Sequence, residues 1–118
     1  MTERRLDSRY LCADLVRVNW LAGENDSDFR TVEAVLEDIS TLGGCIQVEE
    51  PIPLGAKVMI SIHDARFSGR ASYCVYREYG YFVGVRFSDD TKWSTGVVEP
   101  MHLTNLQTIA EKAGVTKE

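Results

Sequence analysis

The chain has 118 residues, of which 44% are hydrophobic and 26% charged, the composition of an ordinary globular domain. This length predicts a single domain. The formal net charge of -5 argues against general nucleic-acid binding, which usually leaves a basic surface. No stretch approaches the roughly 20 apolar residues that cross a bilayer, so we expect no membrane span. The first residues lack the apolar core of a secretory signal, and we therefore expect a cytoplasmic protein.

The sequence contains no pattern typical of a metal site or of an enzyme. Cys12, Cys45 and Cys74 are far apart and form neither a zinc motif nor a disulfide framework. We predict that they are small, partly buried apolar side chains. His63 and His102 lie in no ligand arrangement, and no nucleophile or phosphate-loop motif is present, so we predict that the protein is not an enzyme and needs no metal or cofactor.

Strand patterns follow one another through most of the chain. The segment LVRVNWL places Val16, Val18 and Trp20 on one side and polar residues on the other, which indicates a half-buried strand. Five further segments have strand character: FRTVEAVLEDIS (29–40), CIQV (45–48), KVMISIH (57–63), FSGRASYCVYRE (67–78) and YFVGVRF (81–87). The breaks between them are short, and none has the length of a helix. Six closely spaced strands predict an antiparallel barrel or sandwich, and a barrel also removes exposed edges.

The end of the chain changes its period. In HLTNLQTIAEKAG, Leu103, Leu106, Ile109 and Ala113 recur at spacings of three or four residues, as on one face of a helix. We predict a short amphipathic helix over about 101–113 that packs on the barrel. Trp93, which precedes it, either packs this helix onto the barrel or is an exposed docking residue.

The beginning of the chain concentrates positive charge. Arg4, Arg5 and Arg9 stand against two carboxylates in residues 1–10, a net charge of +1 that leaves -6 for the remainder. A solvated terminal tail is one interpretation. The other is a site for a small anionic ligand, because arginine binds phosphate oxygens bidentately and also pairs with the O6 and N7 edge of guanine.

A second polar group lies at the junction of two predicted strands. In DISTLGG, Asp38, Ser40 and Gly43 are typical of a hairpin turn. Asp38 and Ser40 are also two residues apart, so in an extended backbone they project from the same face and can reach one ligand. Gly43 and Gly44 allow a flat ring to approach the backbone closely.

Together these segments resemble the PilZ domain, a bacterial receptor module for cyclic di-GMP. The family motifs RxxxR and [D/N]xSxxG match Arg5-Leu-Asp-Ser-Arg9 and Asp38-Ile-Ser-Thr-Leu-Gly43. The stretches EPIPLGAKVMISI and YGYFVGVRF are also similar to family strands, and the resemblance covers about residues 4 to 90. It implies an all-β fold, a six-stranded antiparallel barrel with a short C-terminal helix.

The resemblance also implies how a ligand would be held. Arg5 and Arg9 would clamp phosphates and guanine edges from a switch segment, residues 1–12, that precedes the barrel domain, residues 13–118. Asp38 and Ser40 would bond guanine donors, while Gly43 and Gly44 allow close approach. An arginine directly before RxxxR, here Arg4, implies two intercalated cyclic di-GMP molecules per chain. We add Arg86 as a candidate, although the sequence leaves its direction open.

The mechanism we expect is a transition from disorder to order. Cyclic di-GMP would neutralise the arginines and fold residues 1–12 over the barrel, creating a surface that an unidentified effector protein reads. One alternative is a PilZ-like adaptor that binds no nucleotide and acts through protein contacts alone. Another is an unrelated barrel that binds RNA or single-stranded DNA, although such a barrel would favour a basic face with exposed aromatic residues.

Overall fold

The computed structural model describes residues 9–22 and 29–105, which form an all-β structure without a helix in these ranges. Seven strands follow in chain order: β1 Tyr10–Leu21, β2 Phe29–Ser40, β3 Gly43–Val48, β4 Lys57–Ile62, β5 Ala65–Arg77, β6 Gly80–Phe87 and β7 Thr104–Asn105. Within the described ranges, therefore, no helix has the length and apolar character to cross a membrane.

Six of the strands close into a barrel. Their order is β2-β3-β6-β5-β4-β1, every pairing is antiparallel, and pairing between β1 and β2 completes the circle. The predicted six-stranded antiparallel barrel is thereby confirmed. Closure gives each of these strands two hydrogen-bonded neighbours, so the long edges that would invite aggregation are paired within the molecule.

The barrel interior follows the alternation in the sequence. Val16, Val18 and Trp20 of β1 are buried as predicted, while Arg17 between them is exposed. β4 repeats the pattern with three buried aliphatic residues: Val58, Ile60 and Ile62. Period-two alternation brings each apolar side chain to the same side of its strand, and closure of the sheet turns all of these sides inward.

Trp93 is a core residue at one end of the barrel. Its side chain is 2% exposed, and its ring meets the ring of Tyr10 edge to face, with centroids 5.4 Å apart. The indole Nε1 donates a hydrogen bond of 2.8 Å to the carbonyl of Val98. Since both the apolar body and the polar N–H are satisfied inside the protein, Trp93 is not an exposed docking residue.

The predicted C-terminal helix is wrong over its first residues. Met101 and His102 form a turn, and Thr104–Asn105 is the short strand β7, which pairs with Leu11 and Tyr10 at the start of β1. β4 pairs with β1 only from Arg17 onwards, so the backbone groups before that point need another partner. β7 is that partner for Tyr10 and Leu11. The rest of the predicted helix, 106–113, lies outside the described residues.

A buried carboxylate, that of Asp14, stabilises the junction between β1 and the segment before β7. Asp14 in β1 is 6% exposed, and its Oδ2 accepts a hydrogen bond of 3.1 Å from the backbone N–H of Met101. The Nε2 of His63 lies 3.1 Å from the same oxygen. Asp14 thus connects β1 with the turn after β4 and with the segment that leads to β7. A buried carboxylate needs such partners, because burying it without them would be costly.

Candidate functional site

Four of the predicted strands meet on one outer face, which we call the candidate face: the ends of β2, β3, β6 and β5 nearest to Ser40. One row of directly paired residues crosses this face, and we call it the Asp38 row. Its members are Asp38 of β2, Cys45 of β3, Gly84 of β6 and Tyr73 of β5. The row brings a carboxylate and a thiol from one hairpin together with a phenol from β5, a strand about thirty residues later in the sequence.

Tyr73 lies across the middle of the Asp38 row. A Cβ built on Gly84 would collide with the Tyr73 ring, so the ring packs directly on the glycine backbone. Cys45 is 5% exposed, although its neighbour Ile46 is the residue that points into the core. Tyr73 itself remains 45% exposed. One side of its ring therefore covers the barrel wall while a large part of the side chain faces solvent.

Burial and charge together change the ionisation of this row. Burial raises the pKa of Cys45 to about 11, against an opposing side-chain interaction with Tyr73. Burial, followed by the same interaction, raises the pKa of Tyr73 to about 12. The Asp38 carboxylate adds to both increases. Both groups are therefore neutral near pH 7, and the exposed part of Tyr73 presents a phenol, not an anion, to any ligand.

Arg9 lies beside the same row. Its positive charge lowers the pKa of both Cys45 and Tyr73, although in each case it is the smallest of the causes. Its side chain is exposed. The structure thus places Arg9 and Asp38 around one pair of neutral side chains. Arg4 and Arg5, the other arginines of the predicted site, lie outside the described residues.

Asp38 also influences the ionisation of two further groups, Glu37 and Cys12. Burial raises the pKa of Glu37 above its usual range, and the Asp38 carboxylate raises it further. Burial also raises the pKa of the Cys12 thiol to about 12, with Asp38, Asp14 and Glu37 adding to the effect. Glu37 coincides with a β-bulge, because the β2 register shifts between Leu36 and Asp38. The bulge adds one residue to the strand directly before the motif and so turns Asp38 outward.

Ser40 and Gly43 form the hairpin between β2 and β3. Ser40 is 6% exposed, and its Oγ donates a hydrogen bond of 3.3 Å to the carbonyl of Gly43. A Cβ on Gly43 would collide with the carbonyl oxygen of Val85 in β6, so only glycine permits this approach of β3 to β6. The motif therefore has a demonstrable role in the hairpin, whether or not it also binds a ligand.

Gly44 and Arg86 lie on opposite sides of the sheet. Gly44 pairs with the fully buried Ile39, so it belongs to the inner side and stands apart from the outer surface. Arg86 is exposed, pairs with Gly43 and stands between the buried Val85 and Phe87. Arg86 therefore points outward on the candidate face, which settles the direction that the sequence left open.

Sequence reasoning missed Tyr73 as a member of this region. β5 contains a register shift between Ala71 and Tyr73, so a simple alternation does not show which residue pairs with Gly84. The one signal available was Gly84 itself, since a glycine inside a strand often marks a close approach. Among the described residues no group of histidine, cysteine or carboxylate side chains could hold a metal ion.

No protein-family model matches the sequence, and no curated protein matches it significantly.

Proposed function

We propose that the protein is a PilZ-like receptor that binds cyclic di-GMP on the candidate face. The observation that carries the proposal is that Arg9, Asp38 and Arg86, which come from separate parts of the sequence, lie on the same outer face, with the buried Ser40 in the hairpin beside them. These are the residue types that a ligand with two phosphates and two guanines requires. The two motifs DISTLGG and RxxxR supply three of them.

Each side chain suits a different part of the ligand. The Arg9 guanidinium can bind a phosphate bidentately or pair with the O6 and N7 edge of guanine. The Asp38 carboxylate accepts hydrogen bonds only, which matches the donors on the opposite edge of guanine. Tyr73, which is neutral and 45% exposed, offers a ring face on which a base can stack.

The proposed mechanism is ligand-induced ordering of residues 1–8, because residues 10–12 of the expected switch segment already belong to β1. β1 begins at Tyr10, so Arg9 is fixed next to the barrel while the two other arginines precede it in sequence. Binding would draw Arg4 and Arg5 onto the phosphates and create a surface for an effector protein. Arg4 favours two intercalated ligand molecules per chain. In this role the protein is a cytoplasmic receptor of a second messenger and not an enzyme.

Calorimetric titration of the full chain with cyclic di-GMP, GTP and cyclic di-AMP tests the proposal. We expect saturable heat with cyclic di-GMP and at least a tenfold weaker response to the other two, since only the first combines two guanines with a cyclic phosphate backbone. A stoichiometry near two supports the role of Arg4, and a value near one counts against it. Equal binding of all three nucleotides would contradict the proposal.

A second candidate function rests on exposed apolar side chains. Leu15 is 70% exposed and Tyr79 81% exposed, and both line a depression on the outside of β1, β2 and β3 together with Val35. Such a surface could dock a partner without any nucleotide, as in an adaptor. Absence of heat with every nucleotide, combined with an intact fold, would favour this function over the receptor.

A further inference from the structure

Three cations are aligned next to the candidate face. Lys57 of β4 pairs with Arg70 of β5, which pairs with Arg86 of β6, so the three are direct neighbours across the sheet. All three are exposed. We call them the cation row. Adjacent strands are about 4.8 Å apart, so the backbone positions of the row span roughly 10 Å.

This arrangement is unfavourable for the protein alone. Like charges directly opposite each other on neighbouring strands destabilise a sheet. The ion pairs found in residues 9–22 and 29–105 are Arg30 with Glu50 and His63 with Asp14, and neither includes a member of the cation row. The chain has 18 acidic residues for 13 lysines and arginines. Three adjacent cations that have no ion-pair partner in the described part of the chain are explained by an external anion.

The cation row continues the hairpin of the candidate site. Arg86 pairs with Gly43, and Gly43 pairs with Ser40, so hydroxyl, glycine and three cations follow one another across five strands. Gly43 has no side chain to separate Ser40 from Arg86. Arg70 is held in place, because its Nη1 donates a hydrogen bond of 2.8 Å to the carbonyl of Gly55. A ligand at the hairpin beside Ser40 would thus have only β3 between it and the first cation, Arg86 of β6.

The other end of the cation row borders a shallow depression. Its volume is about 200 Å³, and its lining includes Lys57, Arg70, Met59 and the ring of Phe29, which is 49% exposed. A flat apolar contact beside cations suits a ligand that carries both a base and a phosphate. An acidic peptide would use the cations but has no need of the ring, so the depression favours a nucleotide.

We propose that the cation row is a phosphate subsite that extends the candidate site to β4. This inference rests on the proposed function, because its ligand is the same cyclic di-GMP. It adds Arg70 and Lys57 to the binding residues, and neither belongs to a motif that the sequence displays. A phosphate of the bound nucleotide would neutralise the mutual repulsion of the row, so part of the binding energy comes from relieving that repulsion.

Arg70→Ala and Arg66→Ala form a matched pair for the test. Both arginines are exposed on β5, four residues apart, but Arg66 pairs with Ser61 and has no cation opposite it. We expect Arg70→Ala to weaken cyclic di-GMP binding about fivefold or more, the scale of one exposed charged hydrogen bond, and Arg66→Ala to leave it within about twofold. The difference should shrink near 1 M salt, where charges are screened within about 3 Å.

Lys57→Ala serves as the second variant, since Arg70 also contacts the turn at Gly55. Weaker binding by both Lys57→Ala and Arg70→Ala, with wild-type unfolding midpoints in urea, supports the subsite. If wild type binds cyclic di-GMP and both variants match Arg66→Ala, the subsite is overturned while the receptor function stands, and the row is then a surface for an acidic protein. If wild type binds no cyclic di-GMP, the receptor function and the subsite are both overturned.

Discussion

The outside of the barrel offers two polar regions, and they differ in how their charges are arranged. One lies opposite the candidate face, on the outside of β1 and β4, and forms a groove of about 710 Å³. There Arg17 pairs with Glu33 of β2 and with Ser61 of β4, so a cation has an anion as its direct neighbour. On the candidate face, by contrast, Asp38 lies in one row, and the three cations lie in another row that continues from this face to β4.

This contrast indicates that the separation of positive from negative side chains identifies the candidate site better than the volume of a groove does. In the groove, Asn19 already donates a hydrogen bond of 2.6 Å to the Thr31 hydroxyl, so its polar groups satisfy one another. On the candidate face the row of the acceptor Asp38 and the row of the donor Arg86 are two residues apart along β3 and β6. A ligand with donors at one edge and anionic groups at the other would match that separation.

Removal of the cation beside the Asp38 row should have the largest effect on binding. We expect Arg9→Ala to cost about 1.5–3 kcal/mol of cyclic di-GMP binding free energy, the range for a charged hydrogen-bonding partner. Arg17→Ala, which removes an exposed arginine from the opposite groove, is the matched control and should change binding little. Calorimetric affinities provide the measurement, and an Arg9→Ala affinity within twofold of wild type would remove Arg9 from the site.

A methyl group added at Gly43 should test the role of this glycine in the close approach of β3 to β6. Gly43→Ala forces a Cβ against the carbonyl oxygen of Val85, and we expect a loss of about 1–3 kcal/mol in the free energy of unfolding, as for overpacked positions. Gly96→Ala is the control, because the nearest atom to its added Cβ is Ser94 Oγ at 3.7 Å. Urea unfolding measures both. Equal stability of the two variants would mean that β3 and β6 separate easily at this point.

The most gradual effect is the pH dependence of stability that comes from the Cys45 thiol on the candidate face. Because the pKa of Cys45 rises to about 11 on folding from an ordinary value near 9, the unfolded chain loses this proton first. Its contribution to stability is complete below about pH 9 and is lost as the pH rises towards 11, with a slope of at most about 1.4 kcal/mol per pH unit.

Urea unfolding between pH 8 and 11 provides the measurement for this prediction. Cys45→Ala should make the fall in stability shallower, whereas Cys74→Ala, which also removes one thiol, is the control for the loss of a cysteine as such. Arg9, Asp38, Glu37 and Tyr73 all influence this thiol, so the slope of wild type includes their response. A slope that is the same in the Cys45→Ala and Cys74→Ala variants would show that Cys45 does not titrate differently on folding.

The barrel was largely predictable because alternation is a local signal. Val16, Val18 and Trp20 share a side of one strand whatever their partners are, and the structure confirms that side as the interior. The helix prediction is wrong at Thr104 because the structure of this segment depends on a partner that is distant in sequence. Spacings of three and four residues describe a preference of the segment, whereas the unpaired backbone at the start of β1 is a property of the assembled sheet.

The site was predictable only where its residues belong to a sequence motif. Spacing alone places Asp38 and Ser40 on one side of a strand, and the structure agrees. Tyr73 and Arg70 come from a strand about thirty residues later, and their alignment with the hairpin depends on the register of β5 against β6. The shift between Ala71 and Tyr73 alters that register by one position, which no periodicity in the sequence records.

The short pairing between β1 and β7 has a consequence for the two ends of the described structure. Tyr10 lies beside Asn105 and Leu11 beside Thr104, so the chain enters and leaves the barrel at the same point. Anything attached before Arg9 and anything attached after Asn105 is tethered to one shared anchor. Each attached group therefore has a high effective concentration at the other, because both are tethered to neighbouring positions. A donor and an acceptor fluorophore at the two positions would report on both attachments at once.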